Sequence, residues 1–231
     1  MSSPQITHVL FDMDGLLLDT ENLYTAVQQQ ILNPFGKTFT WELKAKMMGT
    51  KASEGAAMLI AALDLHGLLS PEEFLRARDE GMEAAFLKGV PLLPGAERLI
   101  RHLSAHGIPI AIATGSHRRH FLLKSSGHTE LFSKFSVVVT GDMVAHGKPH
   151  PEIFQTAASL LLPPPAHPGC CLVFEDAPLG VVAAIAAGMP VVMVPDITLD
   201  PAALQGTGAA EVLSSLAEFD PTKYGLPPFL E

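Results

Sequence analysis

The stretch Ile6-Thr7-His8-Val9-Leu10-Phe11-Asp12-Met13-Asp14-Gly15 decides the fold. An apolar run ends on two carboxylates set two positions apart, and a glycine follows. A run this short and apolar suits a β-strand buried on both faces. The strand then delivers Asp12 and Asp14 onto a turn at its carboxyl end, the edge of an open parallel sheet where ligands bind. There Asp12 can attack phosphorus and Asp14 can move the proton of a leaving group. Together they offer hard oxygen ligands to Mg²⁺. The same residues also fit a plain strand end with an Asx turn and a left-handed Gly15. Three further signals down the chain bear on the choice.

Similar apolar runs recur at Ile108–Ala113, Val137–Val139, Cys170–Phe174 and Val191–Val194. Helical patterns lie between them: Ala96–His106, closed by Gly107; Pro151–Leu162, stopped by Pro163-Pro164-Pro165; and a helix opening at Pro178 and closing at Gly188. Alternation of this kind predicts βαβ units, hence an α/β fold with a doubly wound parallel sheet. One stretch interrupts it. Between Leu18 and Val90 the patterns are helical: Glu21–Leu32, Trp41–Met48, Ala52–Leu63 and Pro71–Leu87. The expected organisation is a catalytic core of residues 1–17 and 92–231 with an inserted all-helical cap domain of residues 18–91. Leaving the core just after the paired acids, the cap is expected to act as a lid that excludes water and adds substrate contacts.

Composition narrows the classes of function. The chain has 231 residues, 48% of them hydrophobic and 17% charged, enough for a substantial core. A formal net charge of −9 leaves no basic footprint for a nucleic-acid polymer. The adjacent Cys170 and Cys171 point to opposite faces of a strand, so they read as small apolar residues in a reducing compartment. The uncharged segment Ala177–Pro195 imitates a membrane span, but Gly188 and Pro190 divide it. A buried helix followed by a buried strand fits it better. No leader is evident before the strand at Ile6, and the expectation is a cytoplasmic protein for which a monomer suffices.

The second signal is Ala113-Thr114-Gly115-Ser116, at the end of a strand: a hydroxyl and free backbone N–H groups that can cradle a phosphate, or simply a turn. The third is Gly147-Lys148-Pro149, where a lysine held before a helix can neutralise a phosphoryl oxygen and steady the nucleophilic carboxylate, or lie in solvent. The fourth is Phe174-Glu175-Asp176, again two acids ending a strand. They offer metal ligands, and Asp176 also suits the N-cap of the next helix.

In this order, each after a strand, the four motifs resemble those of the haloacid dehalogenase superfamily of phosphohydrolases. The stretch Asp12 to Glu21 is typical of members with a small helical cap, and the resemblance covers the whole chain. More narrowly, Lys37–Trp41, Lys44–Gly49, Ile112–His117 and Val173–Gly180 are similar to the eukaryotic subgroup of glycerol-3-phosphatases and pseudouridine-5′-phosphatases. His150 and Glu152 depart from that subgroup's pattern, as does a shorter loop before Gly147.

The resemblance implies roles. Asp12 attacks phosphorus and becomes an aspartyl-phosphate. Asp14 protonates the leaving alcohol and then activates water, its backbone carbonyl binding Mg²⁺. Thr114 and the Gly115 N–H hold the phosphoryl group, Lys148 balances charge, and Ser116, which follows the phosphate loop, is a further substrate-binding candidate on the side of the leaving group. Asp176 ligates Mg²⁺, so that the metal set is Asp12, Asp14, Glu175 and Asp176, with Glu175 direct or through water. In the cap, Glu21, Gly49 and Lys51 are the candidate substrate contacts, with Tyr24, Lys44, Met47, Met48 and Thr50 near them in sequence. Trp41 and Met48 are also expected on a core-facing helix side.

The expected activity is Mg²⁺-dependent hydrolysis of a small phosphate monoester, glycerol 3-phosphate first and pseudouridine 5′-phosphate next. The alternatives are a sugar-phosphate mutase, for which Lys44, Lys46 and Lys51 would supply a second phosphate site, and a non-catalytic binding protein that has kept the fold.

Overall fold

The computed structural model describes residues 5–47, 52–196, 199 and 206–229. The chain forms two compact units, Met1–Asp19 with Pro91–Glu231, and Thr20–Val90.

The first unit is built on a six-stranded sheet. Its strands are β1 (His8–Phe11), β2 (Ile110–Ala113), β3 (Val137–Val139), β4 (Cys171–Glu175), β5 (Val191–Met193) and β6 (Glu211–Val212), and every pairing is parallel. The order is β3-β2-β1-β4-β5-β6. The chain therefore runs outward from β1 on one side, then returns to β1's other flank with β4. That reversal puts the crevice of a doubly wound sheet at the carboxyl ends of β1 and its two neighbours. The motifs Asp12–Gly15, Thr114–Ser116 and Glu175-Asp176 leave from those three ends.

Both faces of the sheet are buried, which explains the unbroken apolar runs. On one face Leu10, Ala111, Ala113, Cys171, Val173, Val191 and Met193 share a core with Ile153, Phe154 and Ala157 and with Val181, Ala183 and Ala184. Those two sets come from the helices Glu152–Leu160 and Pro178–Ala186. On the other face the Phe11 and Phe174 rings stack at 5.0 Å, with Phe135 edge-on to Phe11 and Phe219 edge-on to Phe174. Such aromatic pairs contribute about 0.5–1.5 kcal/mol beyond the area they bury. Phe11 immediately precedes Asp12 and Phe174 immediately precedes Glu175, so the packing that stabilises the sheet also fixes the site above it.

The helix over Pro178–Ala186 and the strand over Val191–Met193 account for the uncharged stretch 177–195. Among the described residues no helix is long and apolar enough to cross a membrane. Cys170 and Cys171 are free and buried, and burial, then the neighbouring Cys170, pushes the Cys171 thiol up to about 12. It stays protonated at neutral pH.

The second unit is helical: Thr20–Leu32, Trp41–Met47, Ala52–Ala62 and Pro71–Leu87. Its core holds Leu32, Phe39, Leu43, Leu59, Ile60 and Phe74. Ser70 opens the last of these helices with a capping box: its hydroxyl accepts from the Glu73 N–H while the Glu73 carboxylate accepts from the Ser70 N–H, and Pro71 sits at the first helical position. Gln29 ties the turn after the first of them, donating to Lys37 O at 3.0 Å and accepting from the Phe39 N–H at 2.8 Å.

Three expectations fail. Trp41 is exposed, at 36%, rather than on a core face, because the apolar side of its short helix is carried by Leu43. Ala177, not Asp176, occupies the N-cap of the Pro178–Ala186 helix and makes no side-chain cap bond. Strand β6 has no counterpart among the expected strands; Glu211 and Val212 lack an apolar pattern, and pairing with β5 alone makes them a strand.

Candidate active site

Asp12 is the first residue past β1. Its N–H donates to Phe174 O at 3.0 Å, so the β1–β4 pairing sets its backbone. Its carboxylate, on a residue only 6% exposed, accepts from Lys148 Nζ at 2.5 Å. The same ammonium donates to Glu175 Oε1. It also stands 5.0 Å from the centre of the Phe154 ring, whose face adds a weaker attraction. Glu175, 1% exposed, turns its other oxygen back to accept from the N–H groups of Asp176 and Ala177, each at 3.0 Å. Both oxygens of Glu175 are thus engaged. Gly180, in the first turn of the following helix, lies so close that a Cβ there would overlap the Glu175 carboxylate.

Asp14 faces another way. Its Oδ2 accepts from Ser116 Oγ at 2.8 Å and from Thr114 Oγ1 at 3.3 Å. Its Oδ1 accepts from Lys124 Nζ at 2.6 Å, and Lys124 also donates to Ser116 Oγ at 2.9 Å. The Ser116 N–H donates to Thr114 Oγ1 at 3.1 Å, which closes the loop after β2 on itself. That loop is latched from outside by the Gly141 N–H, which donates to Ser116 O at 2.9 Å; a Cβ on Gly141 would run into Gly115 O.

The charges are unbalanced around Asp12. Burial pushes its carboxyl up to about 7; Lys148 opposes this, while Glu175 and Asp14 add to it as like charges. Asp176 is raised well above the usual carboxylate range, by burial first and then by Glu175 and Asp12, with Lys148 opposing. For Lys148, burial acts downward, but Asp12 and Glu175 outweigh it and hold the ammonium above its ordinary range. Lys148 thus faces several acids, and the surplus negative charge suits a divalent ion with oxygen ligands. Asp12 and Asp176 carry carboxylates of the kind such an ion takes, although the side-chain oxygens of Asp12, Asp14, Glu175 and Asp176 do not form a group within 4.8 Å of one another. One or two carboxylates with phosphate and water is the usual set for Mg²⁺.

Of the residues singled out in the sequence, Asp12, Lys148 and Glu175 are joined directly, as are Asp14, Thr114 and Ser116. Gly115 lies in the same loop, exposed and with open space where a side chain would project. Glu21 belongs to the helical unit, where it accepts from Lys44 Nζ at 2.8 Å; Lys44 also donates to Thr25 Oγ1 at 3.2 Å. Gly49 and Lys51, with Met48 and Thr50, lie outside the described residues. Glu152, a departure from the subgroup's pattern, accepts from the N–H groups of Ala145 and His146 and from His146 Nδ1, all within 3.0 Å. It braces the loop that carries Lys148. Among the described residues His146, His150 and Glu152 form the one group of three metal-binding side chains with ligand atoms within 4.8 Å of each other. All three are at least partly exposed, and Glu152 is already occupied as the brace.

Lys124 is the residue that sequence reasoning missed. It lies on the helix Arg118–Ser125 and is 1% exposed. No sequence signal marked it: the apolar residues Phe121, Leu122 and Leu123 are not buried, and the inward side of this helix is carried by Lys124 and Ser125 themselves, where a lysine is out of place unless paired.

Two acids after the first strand, a hydroxyl loop after the second, a lysine joined to the first acid and a further acid pair after the fourth form a site for phosphoryl transfer. The chain belongs to the haloacid dehalogenase-like hydrolase family, whose model matches residues 6–188. Within that family it is an enzyme of the phosphomonoesterase kind. It is 51% identical over 226 residues to "(DL)-glycerol-3-phosphatase 1, mitochondrial" of Arabidopsis thaliana, which covers 97% of this chain and 75% of that protein. It is 45% identical over 230 residues to the "Probable pseudouridine-5'-phosphatase" of Drosophila melanogaster, covering 98% of this chain and 97% of that one. Among solved structures, a HAD family hydrolase from Deinococcus radiodurans R1 with bound phosphate and sodium superposes with a TM-score of 0.81 at 32% identity, covering 98% of this chain and all of that one.

Proposed function

We propose that this protein hydrolyses a small phosphate monoester with Mg²⁺ through an aspartyl-phosphate on Asp12, glycerol 3-phosphate being the favoured substrate and pseudouridine 5′-phosphate the next. The observation that carries the reading is the ion pair between Lys148 and Asp12, with the buried Glu175 on the same ammonium. An anionic nucleophile approaching an anionic ester must overcome repulsion, and an ammonium held on that nucleophile reduces it.

In the first step an Asp12 oxygen bonds to phosphorus as the bond from phosphorus to the ester oxygen breaks, and Asp14 passes its proton to the departing alkoxide. In the second, Asp14 takes a proton from water, the hydroxide bonds to phosphorus, and the bond to Asp12 breaks. Thr114 and the Gly115 N–H hold the phosphoryl oxygens throughout, and Ser116 is a further substrate contact. Magnesium, when bound by Asp12, Asp176 and the Asp14 carbonyl, neutralises phosphoryl charge. Glu175 acts on the site by holding Lys148 and the Asp176 backbone.

The substrate preference rests on the similarity to the Arabidopsis and Drosophila proteins. Residues 18–91 are assigned to a cap that reads the organic part of the ester, through Glu21, Gly49 and Lys51, on their position in the sequence. We place the protein in the cytoplasm, acting as a monomer on free metabolites and not on nucleic-acid polymers.

The test is phosphate release from glycerol 3-phosphate, pseudouridine 5′-phosphate, 2-deoxyglucose 6-phosphate and phosphoglycolate, each with and without Mg²⁺. Turnover of the first, lost on chelation, is expected. An isomerised phosphate ester in place of free phosphate would make the enzyme a mutase, and no Mg²⁺-dependent turnover on any ester would leave a binding protein.

A further inference from the structure

We infer that Lys124 is a positioning residue for the Asp14 carboxylate, the buried member of a Lys124–Ser116–Asp14 triangle that fixes the direction in which Asp14 gives and takes its proton. The inference rests on the reading of Asp14 as acid and base. Each edge of the triangle is a hydrogen bond: Lys124 to Asp14 Oδ1 at 2.6 Å, Ser116 Oγ to Asp14 Oδ2 at 2.8 Å, and Lys124 to Ser116 Oγ at 2.9 Å. The corners come from separate elements: the helix Arg118–Ser125, the loop after β2 and the turn after β1.

Two physical points single Lys124 out. A lysine is almost never fully buried without a charged partner, and this one, 1% exposed, finds it in Asp14. Being closed off, it does not serve as a phosphate-binding lysine. Second, the terminal torsion of an aspartate is broad, so a free carboxylate samples many directions. With Oδ1 and Oδ2 held by different donors, the carboxylate plane is fixed. Proton transfer depends on that direction as much as on proton affinity. Lys124 acts through Asp14.

The experiment compares kcat/KM for glycerol 3-phosphate, whose alkoxide needs a proton to leave, with that for 4-nitrophenyl phosphate, whose nitrophenolate does not. Both are measured on the same preparation, so their ratio is independent of the fraction of folded enzyme. Asp14→Asn is the reference and should lose glycerol 3-phosphate selectively. Lys124→Met should show the same selectivity in milder form, a loss of about 10–100-fold on glycerol 3-phosphate against less than about threefold on the nitrophenyl ester. Should Lys124→Met not fold, Lys124→Gln, which keeps a polar end to the buried side chain but removes its charge, is read by the same ratio. A parallel loss on both esters, or no loss, in the variant read would overturn the inference. If Asp14→Asn is itself not selective, the reading of Asp14 fails; if Asp14→Asn is selective and the positioning variant is not, only the role of Lys124 falls.

Discussion

At the scale of single residues the site depends on close approach. Glu175 is where charge, backbone and packing meet: Lys148 on one oxygen, two N–H groups on the other, and Gly180 against the carboxylate itself. Gly180→Ala places a methyl group inside that carboxylate. Glu175 must then move, and Lys148 loses the partner that holds it onto Asp12. The expected outcome is a folded protein with kcat lowered at least about tenfold, because small misplacements of catalytic groups cost this much or more. A Gly180→Ala protein with the kinetics of the parent would show that Glu175 does not position Lys148. The paired acids stood out in the sequence because each pair closes an apolar strand, and Lys148 because it sits between a glycine and a proline ahead of a helix. Lys124 was not, since a lysine between Leu123 and Ser125 looks like any exposed helix residue until the inward face of that helix is known. Nor was the orientation of the Asp14 side chain, which depends on that lysine.

At the scale of elements, what repeats could be read and what relies on a partner could not. Strands β1 to β5 stood out because burial on both faces leaves each an unbroken apolar run. Strand β6 has only two residues and a half-exposed pattern, and pairing with β5 creates it. Helix Pro71–Leu87 carried its own start signal, Ser70-Pro71-Glu72-Glu73, and the reciprocal bonds of that signal are formed. Trp41 misleads because a large apolar side chain suggests an inward face, which Leu43 fills instead. The capping box gives a local prediction. Ser70→Ala should destabilise the helical unit by about 1 kcal/mol, read as faster amide exchange in residues 71–87 with exchange in β1 and β4 unchanged. Equal loss of protection in both units would mean that the two unfold together and that the cap's effect is global.

At the scale of the whole molecule, the reversal of strand order beside β1 gathers an excess of negative charge at one crevice. The consequence is a stability that depends jointly on pH and on a divalent ion. The folded-state pKa of Asp12 is raised, to about 7, above its unfolded value. Its contribution to stability is therefore complete below the unfolded pKa and is lost as pH rises through about 7. Asp176 is raised in the same sense. Without a divalent ion, this contribution to Tm should decline between about pH 4 and 7 and level off above that, and Mg²⁺ should raise Tm more at the upper end of that range than at the lower, since protons and cation compete for the same oxygens. A Mg²⁺ effect equal at both ends would mean that the ion binds elsewhere.

The central claim is that Asp12 carries the phosphoryl group. It is tested most directly by reducing the Asp14→Asn protein with borohydride during reaction with 4-nitrophenyl phosphate and Mg²⁺, then mapping the peptides by mass. An acyl phosphate is reduced to the alcohol, so homoserine at position 12, dependent on both ester and Mg²⁺, is the predicted result. Reduction at any other carboxylate, or an unmodified residue 12 while nitrophenol is still being released, would contradict it.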